Sequence, residues 1–195
     1  GDYWARENDD LRKARELLER AVVLDPGFAE AHGRLAVVAA VLYNRQDHTA
    51  ERLAQSEHAI ARALELDPQL PSAHFAKAHN EYWAHKRFEV ALTDLDRALA
   101  REPNYAEALT MRGWLYRRLG RWDEMLAAFA RAVELNPRHP DVLRDAAHAA
   151  AWLDTETGTL VRGFEDLTGG GDKDYDDLLY FASTVAVTET LRDCA

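Results

Sequence analysis

The sequence predicts an all-α solenoid of helix-turn-helix repeats. A helix ending that places an alanine five residues before a proline recurs four times, closing at Pro26, Pro68, Pro103 and Pro137. The prolines are spaced by 42, 35 and 34 residues, and a period of this size is typical of stacked helical repeats. Proline cannot donate the helical hydrogen bond and disfavours helix in the residue before it, so each copy marks the end of a helix.

The helix before each proline repeats the same pattern of small and apolar residues. Counted back from the proline, the fifth residue is Ala21, Ala63, Ala98 or Ala132. The eighth is Leu18, Ile60, Leu95 or Phe129, and the twelfth is Ala14, Ser56, Ala91 or Met125. These positions fall on one face of a helix, which predicts that neighbouring helices bury it.

The unit at residues 106–137 shows both helices of a repeat. Its first helix carries an apolar stripe with Gly113 and Tyr116 and stops near Gly120, and its second ends at Pro137. Gly113, Tyr116, Phe129, Ala132 and Pro137 occupy the signature positions of the tetratricopeptide repeat, which this unit resembles. The resemblance implies a right-handed superhelix in which the first helix of every repeat, helix A, lines a concave groove.

The predicted array covers residues 1–153. It comprises a partial repeat at 1–26, whole repeats at 29–68, 71–103 and 106–137, and a partial repeat at 140–153. In the first unit we expect a helix B over Leu11–Leu24, with little of a helix A left in Tyr3 and Trp4. The second unit has surplus residues near Tyr43–His48, which predict a longer turn or an extended helix.

The resemblance also implies which side chains face the groove and bind a partner. These are Phe75, His79, Tyr82, Trp83, Trp114, Arg117, Arg118, Arg144, His148 and Trp152. Aromatic rings beside arginines suit an extended peptide or a helix with acidic and apolar groups. The alternative is that the aromatic residues only pack between repeats and that the arginines are solvated.

The order of units over residues 1–153 resembles repeat domains fused to bacterial signalling proteins. We therefore expect a non-catalytic protein-interaction scaffold. The repeat array favours a cytoplasmic location. The incomplete terminal repeats also predict self-association. The net charge of −10 argues against a nucleic-acid partner. No apolar stretch is long enough for a membrane span. Because no catalytic motif is present, we also predict that the protein is not an enzyme.

Residues 154–195 form a segment of different composition, rich in glycine and aspartate. A β-hairpin from 157–164 and 178–187 is favoured over a helix at 175–191. Residues 163–177, G-F-E-D-L-T-G-G-G-D-K-D-Y-D-D, resemble the motif of a calcium-associated β domain of bacterial surface and secreted proteins. The candidate Ca²⁺ ligands are Glu165, Asp166, Asp172, Asp174, Asp176 and Asp177. A calcium-binding surface or secreted protein is the alternative function, and a solvated acidic turn is the alternative reading of the motif.

Overall fold

The computed structural model describes residues 2–45, 48–139 and 142–146, and every regular element in these residues is an α-helix. The helices are α1 (Asp2–Leu24), α2 (Ala29–Arg45), α3 (Ala50–Leu66), α4 (Pro71–Trp83), α5 (Phe88–Arg101), α6 (Ala106–Arg118) and α7 (Trp122–Leu135). Residues 142–146 are also helical. The predicted hairpin lies outside the described residues and stays a prediction.

The chain divides into two compact units, residues 1–111 and 112–195. In the first unit, α2 packs against α3 and α4, and α4 packs against α3 and α5. α2 therefore contacts its own B helix, α3, and the A helix of the next repeat, α4, as stacked repeats require. The α1 helix packs against α2 and takes the place of a B helix.

The B helices end where the prolines predict. α3 ends at Leu66, and Asp67 before Pro68 has extended backbone angles, φ −137° and ψ 102°, that suit a residue preceding proline. The Asp67 backbone N–H still donates to the Ala63 carbonyl, and the Asp67 carboxylate accepts from the Gln69 backbone N–H at 2.9 Å. The same carboxylate turn follows α1, where Asp25 accepts from the Gly27 N–H at 2.9 Å.

The repeated small and apolar positions form the contact surface of the B helices. The nine residues at these positions in the later B helices are buried: Ser56, Ile60, Ala63, Ala91, Leu95, Ala98, Met125, Phe129 and Ala132. Alanine at the fifth position before the proline is fully buried in α3, α5 and α7, where a longer side chain would hold the neighbouring helix away. The predicted face is therefore confirmed for these three helices.

Two glycines of the A helices allow close packing. A Cβ atom on Gly113 would lie 2.7 Å from the Phe129 ring, so α6 and α7 approach closely because this position has no side chain. A Cβ atom on Gly33 would collide with Ser72 and would lie 2.7 Å from Leu70 Cδ2. The predicted stop at Gly120 is also confirmed, since this residue has φ +70° just after α6.

Two helices differ in length from the prediction. α1 begins at Asp2 rather than Leu11, so Tyr3 and Trp4 belong to the same helix and are not the remnant of a separate one. No proline or glycine interrupts residues 2–24, which explains the continuous helix. In the second repeat, α2 and α3 have 17 residues each, against 13 in α4 and 14 in α5. The extended-helix interpretation of the surplus is therefore right.

Candidate functional site

Four of the predicted site residues form a continuous aromatic cluster on α4. Phe75, His79 and Trp83 are spaced by four residues and lie on one side of the helix. Ring centroids are 6.4 Å apart for Phe75 and His79 and 6.3 Å apart for His79 and Trp83. Tyr82 meets the Trp83 ring edge-on at 4.7 Å. These four residues are called the α4 aromatic face below.

Burial differs within the α4 aromatic face. Phe75, His79 and Tyr82 are buried, whereas Trp83 is half-buried. Phe75 packs 5.1 Å from the Tyr105 ring before α6, and Tyr82 packs 5.4 Å from the Phe88 ring of α5. Phe75 and Tyr82 therefore hold α4 against neighbouring segments, and Trp83 is the member that solvent partly reaches.

Electrostatic features of this face centre on His79 and Trp83. Burial, reinforced by the positive charge of Arg45, lowers the pKa of His79 to about 3, so the imidazole is neutral at pH 7. The Lys86 ammonium lies 5.4 Å from the centre of the Trp83 ring, within cation–π range. Within the described part of the chain, His79 Nδ1 and Trp83 Nε1 are buried atoms with no hydrogen-bond partner.

Predicted site residues of the second unit gather around one carboxylate. The Trp114 Nε1–H donates to Asp145 Oδ2 at 2.8 Å, and Arg144 Nε lies 3.4 Å from Asp145 Oδ1. Arg117 is half-buried and Arg118 is exposed. The prediction did not include Asp145, because its contact with Trp114 spans 31 positions and no local pattern signals it. His148 and Trp152 lie outside the described residues.

A buried charge cluster between α4 and α5 was also not predicted. Asp94 is 1% exposed, and its carboxylate lies 3.0 Å from His74 Nδ1 and 3.1 Å from Lys77 Nζ. Burial alone would raise the pKa of Asp94, but the hydrogen bonds from His74 and Lys77 outweigh it and hold the pKa below its ordinary value. The signal was available in the sequence: the ninth position before the proline is alanine in α3 and α7, at Ala59 and Ala128, and aspartate in α5.

The described residues contain neither a metal-binding cluster nor a membrane-spanning helix. No group of three or more histidine, cysteine, aspartate or glutamate side chains in residues 2–45, 48–139 and 142–146 could hold a metal ion. The six candidate calcium ligands at residues 165–177 lie outside these ranges, so calcium binding stays a prediction. Of the helices that the structure describes, none combines the length and apolar character that a bilayer crossing requires.

Comparison with known proteins identifies the repeat. The family model described as tetratricopeptide repeat matches residues 80–140. A comparison with curated proteins found no match.

Several solved structures share the fold. TTC0263, a thermophilic TPR protein of Thermus thermophilus, is 25% identical with a TM-score of 0.58, and the match covers 73% of this chain and 74% of that one. For pilF of Pseudomonas aeruginosa the identity is 21%, the TM-score 0.54 and the coverage 73% and 61%. A MamA structure matches at 14% identity and a TM-score of 0.52, covering 95% and 94%. This chain is therefore similar to tetratricopeptide repeat proteins, in agreement with its sequence pattern.

Proposed function

We propose that this protein is a non-catalytic interaction scaffold that binds an extended peptide or protein segment at the α4 aromatic face. One observation carries the proposal: Trp83 combines a half-buried ring with an indole N–H that has no partner among the described residues. A buried donor left unpaired costs about 1–3 kcal/mol, which a ligand acceptor recovers once a side-chain shift at Trp83 uncovers the nitrogen. Tryptophan is also enriched among the residues that dominate binding energy.

The surroundings of Trp83 indicate the ligand chemistry. The Trp83 indole N–H needs a carbonyl or carboxylate oxygen as its acceptor, and a peptide backbone supplies such an oxygen at every residue. Lys86 stands over the ring and adds a positive charge. Neutral His79 lies beside Trp83 and contributes an uncharged, mostly apolar surface. A peptide with an apolar side chain and an acceptor beside it matches this arrangement.

The experiment selects peptides on the whole chain from a random display library and measures the affinity of the best binder by calorimetry. Trp83→Phe keeps an aromatic ring and removes the donor, so we expect binding at least about fivefold weaker, the cost of about 1 kcal/mol that marks an important interface residue. Trp122→Phe is the matched control because Trp122 is also half-buried and lies on α7.

A second readout uses the indole N–H signals in a nitrogen-15 NMR spectrum. The Trp83 signal, assigned by its loss in Trp83→Phe, should shift when the peptide binds. The Trp114 signal should shift less, since that indole N–H already donates to Asp145. The proposal is wrong if no library peptide binds the folded chain, or if the selected peptide binds Trp83→Phe as tightly as the parent.

A further inference from the structure

The outer side of α1 is an apolar surface exposed to solvent. Leu17, Val23 and Leu24 are 63%, 78% and 83% exposed. With Glu16 and Arg20 they are spaced along one side of the helix, and four of these five residues line a shared shallow depression. These five residues are called the α1 outer face below. Exposed leucines in such a group mark an interaction surface more often than isolated ones do.

Leu17 of this face stands where the later repeats have a buried residue, whereas the residues equivalent to Glu16 and Val23 are exposed in all three later B helices. Leu17 stands nine residues before its proline, and the equivalent residues of α3, α5 and α7 are all buried: Ala59, Asp94 and Ala128. Phe28, two residues after its proline, is 48% exposed, whereas the equivalent Leu70 and Tyr105 are 7% and 6% exposed and His139 is exposed. Tyr105 packs on Phe75 of the preceding A helix.

Arg20 on this face differs from its equivalents in its charge partner. The arginine six residues before each later proline is paired: Arg62 with Glu65 at 2.7 Å, Arg97 with Asp94 at 3.4 Å and Arg131 with Glu134 at 2.6 Å. Where α3 and α7 have that glutamate, α1 has Val23. Arg20 consequently has no ion pair within the described residues.

We propose that a second copy of this chain covers the α1 outer face, with the two α1 helices packed antiparallel about a two-fold axis. Glu16 precedes Arg20 by four residues, so these two positions of the face carry opposite charges, and Glu19 beside them is paired with Arg15 at 2.7 Å. An axis at the level of Leu18 places Glu16 of each copy opposite the partner's Arg20 and brings the two Leu17 side chains together. Val23 and Leu24 then lie opposite the partner's Lys13 and Arg12, whose aliphatic stems they can contact.

Charge complementarity favours this occupant. A two-fold interface uses the same patch twice, so the patch must complement itself. Glu16 already lies 3.7 Å from Arg12 of its own chain, with both side chains exposed. Arg20 has no ion-pair partner in the part of the chain that the structure describes, and the proposed pairing supplies the carboxylate that Arg62 and Arg131 find within their own helices. The proposal involves α1 alone and is independent of the α4 aromatic face.

The test measures the mass of the full chain by sedimentation equilibrium up to about 100 μM, a range that detects micromolar association. The parent should approach twice its 22.0 kDa. Leu17→Glu, Arg20→Glu and Glu16→Arg should each be monomeric with unchanged helical circular dichroism. Val90→Glu, at an exposed apolar residue of α5, is the control and should stay dimeric.

Mixing two variants tests the antiparallel pairing itself. Arg20→Glu gives a face with two acids, and Glu16→Arg gives one with two bases, so the mixture should form a heterodimer although neither variant pairs alone. A parent chain that stays monomeric would overturn the proposal, whatever else binds this face. A dimer that survives both Leu17→Glu and Arg20→Glu would also overturn it.

Discussion

Buried His79 should make the stability of this protein sensitive to mild acid. The folded imidazole has a pKa of about 3, whereas an unfolded histidine titrates near its ordinary value of 6.5. Between these two values the unfolded chain binds a proton that the folded chain does not, so stability falls as the pH decreases. Each unit of pH below 6.5 costs about 1.4 kcal/mol, so at pH 5 the loss from this residue is about 2 kcal/mol.

The assay is urea unfolding, followed by circular dichroism at pH 7 and pH 5, of the parent and of His79→Leu. Because every other titrating group is common to both proteins, the difference between their pH-dependent losses isolates His79. The parent should lose about 2 kcal/mol more than the variant. His58→Leu, at an exposed histidine of α3, should behave like the parent. Equal losses in the parent and His79→Leu would refute the reasoning.

Three further substitutions test the packing of individual repeats. Gly113→Ala should destabilise its unit by about 1–3 kcal/mol, since the new Cβ would lie 2.7 Å from the Phe129 ring. Thermal unfolding measures this loss, and adding Phe129→Leu should reduce it, because the two residues are in contact. Leu95→Ala removes a fully buried side chain and should cost about 2–5 kcal/mol in chemical denaturation; a loss below about 1 kcal/mol would contradict the described core. Asp94→Asn leaves His74 without its carboxylate and should lower the stability of the folded chain at pH 7. The difference in stability from the parent should shrink below about pH 4, because Asp94 becomes protonated in the unfolded chain there.

Helix ends were predictable because they depend on local sequence. Proline and the residue before it end a helix whatever surrounds them, so the ends of α3, α5 and α7 were predicted correctly. The start of α1 was not predicted, because the repeat pattern suggested a break that residues 2–24 do not encode. Whether the surplus of the second repeat forms a longer turn or an extended helix was left open, since no proline or glycine lies in residues 43–48.

The candidate site was predictable in its spacing and not in its burial. Four-residue spacing was enough to bring Phe75, His79 and Trp83 together on α4. Their exposure depends on side chains distant in sequence, such as Tyr105, which packs on Phe75. The same limit applies to the Trp114 contact with Asp145. A helical period indicates which residues share a side of a helix, and the neighbouring repeats decide what covers that side.

Asp94 has a consequence for how a repetitive chain finds its correct neighbours. Repeats with similar B helices can pair out of order during folding, and such pairings trap the chain. The α5 helix is distinguished by its buried carboxylate, which is hydrogen-bonded to His74 and paired with Lys77 of α4. At the positions equivalent to His74 and Lys77, α6 has Leu109 and Arg112, so docking of α5 there would leave the Asp94 carboxylate with a cationic partner and without its histidine. Asp94 thus distinguishes the third repeat from its neighbours and favours docking of α5 on α4 over docking on α6.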